Sequence, residues 1–151
     1  MTATAETKIW QALPSRVATI AGYAASQFAR PLDPFTPPQS NGKPLPYLDI
    51  AHMPNVNARV LVGSKGPMRR PGIVQIALMW PVAEIGTASG KVHPDVLIQQ
   101  AGEIAAHFPT DLCMPFQGVS VRVTKAPDVA QPMRDEVYWR VPVSIFYETY
   151  A

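Results

Sequence analysis

Hydrophobic and polar residues alternate along the end of the chain, from Glu136 to Glu148. The apolar positions that share one side of this period-two ribbon are Val137, Trp139, Val141, Val143, Ile145 and Tyr147. Such alternation predicts a strand with one buried face. Pro142 has no backbone N–H, so we expect an unpaired stretch there, at a sheet edge, at a bulge or against another molecule. A long aromatic strand at an edge needs a cover, which a second copy of the protein can supply.

Two other segments carry the three-to-four residue period of an amphipathic helix. Between Glu6 and Phe28 the apolar residues form one stripe, and Pro14 inside it predicts a kink or the start of the main helix. Pro94 suits the first position of a second helix, whose apolar face runs to Phe108.

Three further strands complete the predicted fold. One opens at Tyr47 and can resume after Pro54 as far as Val62. The next, Ile73–Val82, is apolar on both sides, which predicts a central position, and Gly118–Lys125 alternates. The order is α-β-β-α-β-β, so we predict an α+β fold with two helices on a mostly antiparallel sheet of about four to five strands. At 151 residues one domain is expected, with residues 1–5 disordered and 29–46 forming a Pro-rich loop.

The composition favours a subunit with neutral surface. Charged residues make up 16% of the chain, below the roughly 25% of soluble domains. The alternative is a monomer with a serine- and proline-rich exterior. A net charge of +2 is too weak for a dedicated nucleic-acid binder. The single cysteine precludes an intrachain disulfide and fits a reducing compartment. We expect neither a membrane span nor a secretory signal.

Residues that carry chemistry are scattered. Cys113 and His107 are a candidate nucleophile and base, but such a pair needs hydrogen-bond distance and an orienting third group. The spacing of His52, His93 and His107 matches no metal motif. Carboxylate pairs can be drawn between Asp49 and Glu84 and between Asp95 and Glu103, although helix-start and solvent-facing roles explain the second pair better. We therefore expect no enzyme, no cofactor and no metal.

The densest positive group lies around the predicted hairpin loop Gly63–Gly72 and consists of Arg59, Lys65, Arg69 and Arg70. The loop joins two strands, so its glycines do not form the phosphate cradle found at a helix start. The basic side chains suit contact with a phosphate backbone or with an acidic patch on a partner. A solvated tip that keeps the protein soluble is the equally weighted alternative.

Several segments resemble the tail-terminator proteins of long-tailed bacteriophages and related phage-like particles. The resemblance rests on Pro46-Tyr47-Leu48, Leu78-Met79-Trp80-Pro81, Ala106-His107-Phe108-Pro109, Gly118–Val123 and Trp139–Ile145, in that order. It runs from the first helix to the end of the chain. Pro14 and the longer proline loop depart from the family pattern.

The resemblance implies a structural virion protein. It implies α+β subunits that close into a homohexameric ring, cap the tail tube, end tube polymerisation and present a surface to the head connector, with double-stranded DNA passing through the lumen without sequence-specific binding. The implied partners are copies of itself, the tail tube protein, and a head-tail connector or head-completion protein, with no membrane. The implied location is the neck of the virion tail, after assembly in the host cytoplasm.

Two sets of residues are expected to make the contacts. The basic group is predicted to face a partner or the lumen, and the final strand to supply a subunit interface through Trp139, Arg140, Pro142, Ser144 and Phe146. One alternative function is a head-completion or tail-tube protein of the same particle. Another is a small ligand-binding domain or enzyme using His107, Cys113 or Asp49.

Overall fold

The computed structural model describes residues 2–40, 42–63, 65–81 and 94–151. Within those ranges it has two α-helices, α1 (Ala5–Val17) and α2 (Pro94–Ala106), and a 3₁₀ turn at Ala25–Gln27. Its strands are β1 (Phe28–Ala29), β2 (Gln39–Ser40), β3 (Lys43–Pro44), β4 (Tyr47–Pro54), β5 (Ala58–Arg59), β6 (Met68–Pro81), β7 (Cys113–Phe116), β8 (Val119–Val123), β9 (Asp128–Val129), β10 (Met133–Asp135) and β11 (Tyr138–Tyr150).

The two helices differ in how well their lengths follow the hydrophobic pattern. Helix α2 begins at Pro94, as predicted. Helix α1 starts after Thr4, whose hydroxyl accepts a hydrogen bond from the Thr7 backbone N–H at 3.4 Å. It continues through Pro14 but ends at Val17, well short of Phe28. Neither described helix is long and apolar enough to cross a membrane.

The sheet is larger than expected, and the prediction of about four to five mostly antiparallel strands is wrong. Nine strands form one mixed sheet, curled into a half-barrel, and strand residues outnumber helical ones at 41% against 21%. The order is β1-β4-β6-β11-β8-β7, with β5 also paired to β6, and β9 and β10 also paired to β11. All described pairings in it are antiparallel except β1 with β4. Strands β2 and β3 form a separate hairpin inside the predicted proline loop.

The unpredicted strands are short. Strands β1, β9 and β10 have two or three residues and β7 has four, too few to show a two-residue period. Strand β5, with two residues, falls within the predicted resumption after Pro54. They pair because the long strands beside them offer free backbone groups. Strand β7 turns into β8 through Gln117 and Gly118, which both have positive φ, at 46° and 85°. That is the pattern of a tight two-residue hairpin turn.

The larger of two hydrophobic cores in the described residues lies between the helices and one face of the sheet. A smaller cluster of Ala77, Met79 and Tyr138 packs with Tyr47 on the opposite face. Helix α1 packs on β7 and β8, and α2 packs on β11, β9 and β6. The largest fully buried side chains are Phe108, Leu13, Leu48, Ile76, Leu78, Leu97, Ile104 and Ile145. Burying each side chain of this kind contributes roughly 1.5–3 kcal/mol. The predicted inward face of the last strand is confirmed for Val141, Val143, Ile145 and Tyr147, which all belong to this core.

Strand β11 is internal to the sheet, so of the three alternatives for Pro142 the sheet edge is wrong. Residues 138–150 of β11 pair with β6 without a gap. On the other side β11 pairs with β10 as far as Arg140, with β9 at Val143 and Ser144, and with β8 at Tyr147 and Glu148. The Pro142 carbonyl accepts from the Ala130 N–H at 2.9 Å, which shows that Pro142 turns its backbone toward the β9–β10 side. The missing N–H therefore falls in the gap between two short strands and removes no bond to β6.

Candidate functional site

The connection between β4 and β6 is an exposed hairpin tip, which we define as residues 55–67. Its apolar side chains are unusually accessible: Val56 is 81% exposed, Leu61 53% and Val62 97%. Arg59 and Lys65 are also exposed, and the chain contains no acidic residue between positions 50 and 83. The hairpin tip therefore presents aliphatic groups and positive charge together, whereas apolar side chains of a monomer usually scatter singly.

The predicted basic group divides into two pairs with different surroundings. Arg59 and Lys65 lie in the hairpin tip and form no ion pair with a residue that the structure describes. Arg69 and Arg70 lie in β6 at the base of the hairpin and are engaged within the fold. Only the first pair is placed to reach a partner freely.

Arg69 belongs to a small ion-pair network. Its Nε lies 2.7 Å from one carboxylate oxygen of Glu148, and Arg122 binds the other oxygen of the same carboxylate. Arg122 also contacts Asp111 at 2.6 Å. Hydrogen bonds from Arg69 and Arg122 hold the pKa of Glu148 below its usual value of 4.5, although burial acts in the opposite direction. Glu148 is only 7% exposed, so both guanidinium partners compensate a carboxylate that is largely removed from water.

Arg70 of β6 contacts one residue near each end of the chain. Its guanidinium contacts the Glu6 carboxylate at 2.5 Å, and its Nε donates to the Ala151 carbonyl at 3.1 Å. A backbone hydrogen bond and then the contact with Arg70 lower the pKa of Glu6.

A largely apolar cavity of about 550 Å³ lies at the other end of the long strands. We call it the α2–β11 cavity. Its lining residues are Leu97, Ile98, Val129, Ala130, Gln131, Pro132 and Trp139. A cavity of roughly 300–1,000 Å³ is large enough for a small ligand or several aliphatic side chains.

The α2–β11 cavity and the hairpin tip are far apart on each subunit. Trp139 pairs with Trp80 at one end of the β6–β11 ladder, and Tyr150 pairs with Arg69 at the other. The lining residue Val129 pairs with Val143, which lies opposite Ile76, so the cavity extends from the level of Ile76 to that of Trp80. The steps of seven to eleven residues from Arg69 correspond to roughly 23–36 Å along an extended strand. One subunit therefore carries the two features at opposite ends of its sheet.

The predicted interface residues divide between the two faces of β11. Trp139 packs against the core and lines the cavity. Arg140, Pro142, Ser144 and Phe146 alternate with the core positions and lie on the opposite face.

That outer face includes an apolar row across three strands. Phe146 pairs with Ile73, and Ile73 pairs with Met53, so the three side chains are neighbours. Met53 is 46% exposed, and the other two are half-buried. The Lys125 ammonium stands 4.2 Å above the Phe146 ring. Farther along the same face Arg140 contacts Asp49 at 3.2 Å.

The candidate catalytic residues are engaged in structural contacts. The His107 Nε2 lies 2.6 Å from the Thr19 hydroxyl, and the His107 carbonyl accepts from Arg16 at 2.8 Å. Cys113 is exposed, and its thiol is directed at the Asp111 carbonyl at 3.7 Å. The described hydrogen bonds do not connect the thiol to the imidazole. Burial and the charge of Arg16 lower the pKa of His107, in spite of a hydrogen bond that favours protonation.

His52 forms part of an aromatic stack. Its ring lies between Trp10 and Tyr147, at centroid distances of 5.4 and 5.7 Å, and its Nε2 lies 2.5 Å from the Tyr147 hydroxyl. Burial lowers the pKa of His52 and raises that of Tyr147 to about 12. Both shifts favour the neutral forms, in which the tyrosine hydroxyl donates to the imidazole.

The other candidate ligands are not brought together. Asp95 and Glu103 lie on α2 and have no common partner among the described hydrogen bonds, while Glu84 and His93 fall outside the described residues. The described part of the chain has no group of three His, Cys, Asp or Glu side chains arranged to hold a metal ion.

Comparison with known proteins decides the family. A family model described as phage tail terminator protein matches residues 8–147. The chain belongs to the phage tail terminator family. That family is structural, and membership places the protein in the phage tail and implies association with other tail components.

The same architecture is also found among solved structures. Six chains match this one. One of them is 26% identical, covers 97% of this chain and 96% of its own length, and superposes with a TM-score of 0.68. No curated protein sequence matches. This terminator therefore shares its whole architecture, and not one local motif, with a protein of nearly the same length.

Proposed function

We propose that this protein forms a ring that caps the tail tube, ends tube polymerisation and joins the tail to the head connector, with double-stranded DNA passing through the lumen. The observation that carries the proposal is the family match over residues 8–147. A homohexamer is the form that the family resemblance implies. The tail tube protein and a head-tail connector or head-completion protein are its proposed partners, at the neck of the virion tail.

The surface of the subunit supports assembly with copies of itself. In a closed ring with rotational symmetry above twofold, each subunit meets its neighbours through two different surfaces. The structure provides unlike apolar areas for this purpose in the hairpin tip, the α2–β11 cavity and the outer row of Met53, Ile73 and Phe146. We include Phe146, Ser144, Pro142 and Arg140 in the proposed subunit interface as a face of the sheet, since β11 is not an edge strand.

The net charge of +2 and the ion pairs within the subunit are compatible with a lumen along which DNA slides. Arg140 is paired with Asp49, and the guanidinium groups of Arg69 and Arg122 are paired with Glu148. Paired cations release few counterions from a phosphate backbone, and so they bind DNA weakly. In this proposal Arg59 and Lys65 make the partner contacts, while Arg69 and Arg70 fix the base of the hairpin.

Native mass and electron microscopy of the purified protein test the ring. We expect one closed oligomer with a central hole, and we expect its addition to growing tail tubes to stop their elongation. A tail-tube protein would give filaments under the same conditions. A head-completion protein would bind the connector and leave tube growth unchanged. A single subunit mass at high concentration would contradict the proposal.

The outer row has its own test. Phe146→Asp places a charge in the proposed subunit interface and should lower the fraction of protein in the ring. Leu32→Asp is the matched control, because Leu32 is a fully exposed apolar residue in the proline-rich segment. Equal ring fractions in the two variants would show that Phe146 does not lie in the subunit interface.

A further inference from the structure

We infer that the hairpin tip of one subunit inserts into the α2–β11 cavity of the next copy. This inference rests on the proposed ring and names the two surfaces that would hold it together. The occupant is a second copy of this chain, because the chain itself carries the complementary surface roughly 23–36 Å along β6 from its own cavity, beyond its own reach.

The cavity and the hairpin tip both present apolar side chains. The cavity is lined by aliphatic side chains, proline and one indole, and its own rim exposes Ile98 at 53% and Val129 at 40%. The hairpin tip exposes Leu61 and Val62, which would leave water on insertion. Removing apolar surface from water on both partners is the main driving force for such contacts.

The hairpin tip and the surroundings of the cavity carry opposite charges. The hairpin tip has Arg59 and Lys65 and no carboxylate. The segments that carry the cavity lining, 94–98 and 125–139, have four acidic residues and two basic ones. The acidic residues are Asp95, Asp128, Asp135 and Glu136, and all four are exposed. Opposite charges around an apolar centre would align the two surfaces and disfavour contact between two hairpin tips.

Disulfide trapping tests the contact directly. In a Cys113→Ser background, Val62→Cys and Gln131→Cys are made in separate chains, mixed and oxidised. We expect a crosslinked species of twice the subunit mass, because a disulfide forms only when the two Cα atoms come within about 7 Å. The control mixes Val62→Cys with Gln11→Cys, an exposed position on α1 outside the cavity. Equal crosslinking in both mixtures would overturn the inference.

A charge in the tip gives a second readout. Val62→Asp should shift the native mass from ring to single subunit and keep the wild-type circular dichroism spectrum, since Val62 is 97% exposed. Leu32→Asp, with an equally exposed side chain elsewhere, should stay in the ring. If Val62→Asp forms the wild-type ring and no specific crosslink appears, the tip–cavity contact is wrong while the ring stands. If the wild-type protein is itself a single subunit, both proposals fall.

Discussion

Tyr147 lies directly across from Gly72 in the β6–β11 ladder, and its ring fills the space above the glycine. A Cβ on Gly72 would lie 2.3 Å from the tyrosine hydroxyl oxygen and 2.5 Å from Cζ. The same hydroxyl contacts His52, which stacks on Trp10 of α1. The bare backbone at Gly72 thus allows one side chain to connect β11, β4 and α1.

Gly72→Ala should destabilise the fold by about 1–3 kcal/mol, because the added methyl group displaces a tyrosine ring that is held at its hydroxyl. Gly102→Ala is the control. Gly102 lies in α2 with nothing within 4 Å of its added Cβ, so alanine should be neutral or stabilising by up to about 1 kcal/mol. Denaturant midpoints measure both. Equal midpoints for the two variants would show that the Tyr147 ring moves away without cost.

Stability should fall as the pH decreases from 7.5 to 5.5. Burial lowers the pKa of His52 and His107 in the folded protein, whereas the unfolded chain protonates them near 6.5. The unfolded state therefore binds more protons, so stability is fully present above pH 6.5 and is lost as the pH falls toward the folded pKa values. This window lies above the usual carboxylate value of 4.5.

Thermal unfolding at a series of pH values checks the histidine effect. His52→Gln and His107→Gln should each flatten the slope between pH 7.5 and 5.5, although each also changes a local hydrogen bond. A slope that is unchanged in both variants would assign the pH dependence to other groups.

Glu148→Gln should lower stability by about 1–2 kcal/mol at pH 7, because one buried carboxylate accepts from two guanidinium groups and solvent screens those half-exposed partners. The lowered pKa of Glu148 means that its contribution is present above pH 4.5 and is lost as the pH falls below that value. The wild-type loss below pH 4.5 should therefore shrink in the variant. Asp128→Asn is the control, since Lys125 and Asp128 are both more than half exposed and should contribute little.

Arg59→Glu combined with Lys65→Glu should keep the wild-type circular dichroism spectrum and weaken assembly, because both side chains are exposed on the hairpin tip. The wild-type assembly should in turn weaken as NaCl is raised from 50 to 500 mM, a range over which the Debye length falls from roughly 14 to 4 Å. Native mass at several salt concentrations measures both effects. If the double variant assembles as the wild type does, Arg59 and Lys65 make no contact that assembly needs.

Arg69→Glu should behave differently from the tip variants. It places a second carboxylate against Glu148 and should destabilise the monomer by about 1–3 kcal/mol. Normal stability together with defective assembly would instead show that Arg69 contacts a partner.

Long helices and strands could be predicted from the sequence better than short strands. The buried face of a strand could be predicted better than the strands that pair with it. Pro94 marks a helix start because proline is favoured in the first turn, and the alternation around Val143 survives in the folded core. Strands such as β9 and β10 carry no period of their own and pair only because β11 leaves a side free. Nothing local in the sequence signals them.

The site was harder still to predict, because its contacts join distant parts of the chain. Arg69 and Arg70 appear in the sequence as a free basic pair, yet Glu148 and Glu6 engage them in the fold. The α2–β11 cavity combines a helix, a loop and a strand that share no motif. Of the residues that line this cavity, the sequence pattern singled out Trp139, an aromatic residue at the start of the last strand.

The rims of the described sheet are short. Strand β1 has two residues, and β7 has four, one of which is Pro115. A further strand would find few free N–H and C=O groups at these two rims, while β1 covers only Leu48 and Asp49 and leaves residues 50–54 of β4 open on that side. Where copies in the proposed ring meet through side chains, the fit of those side chains would fix the angle between neighbours and so the number of subunits. Short rims would also make the ring proposed for the end of the tail tube less prone to seed a fibre by strand pairing.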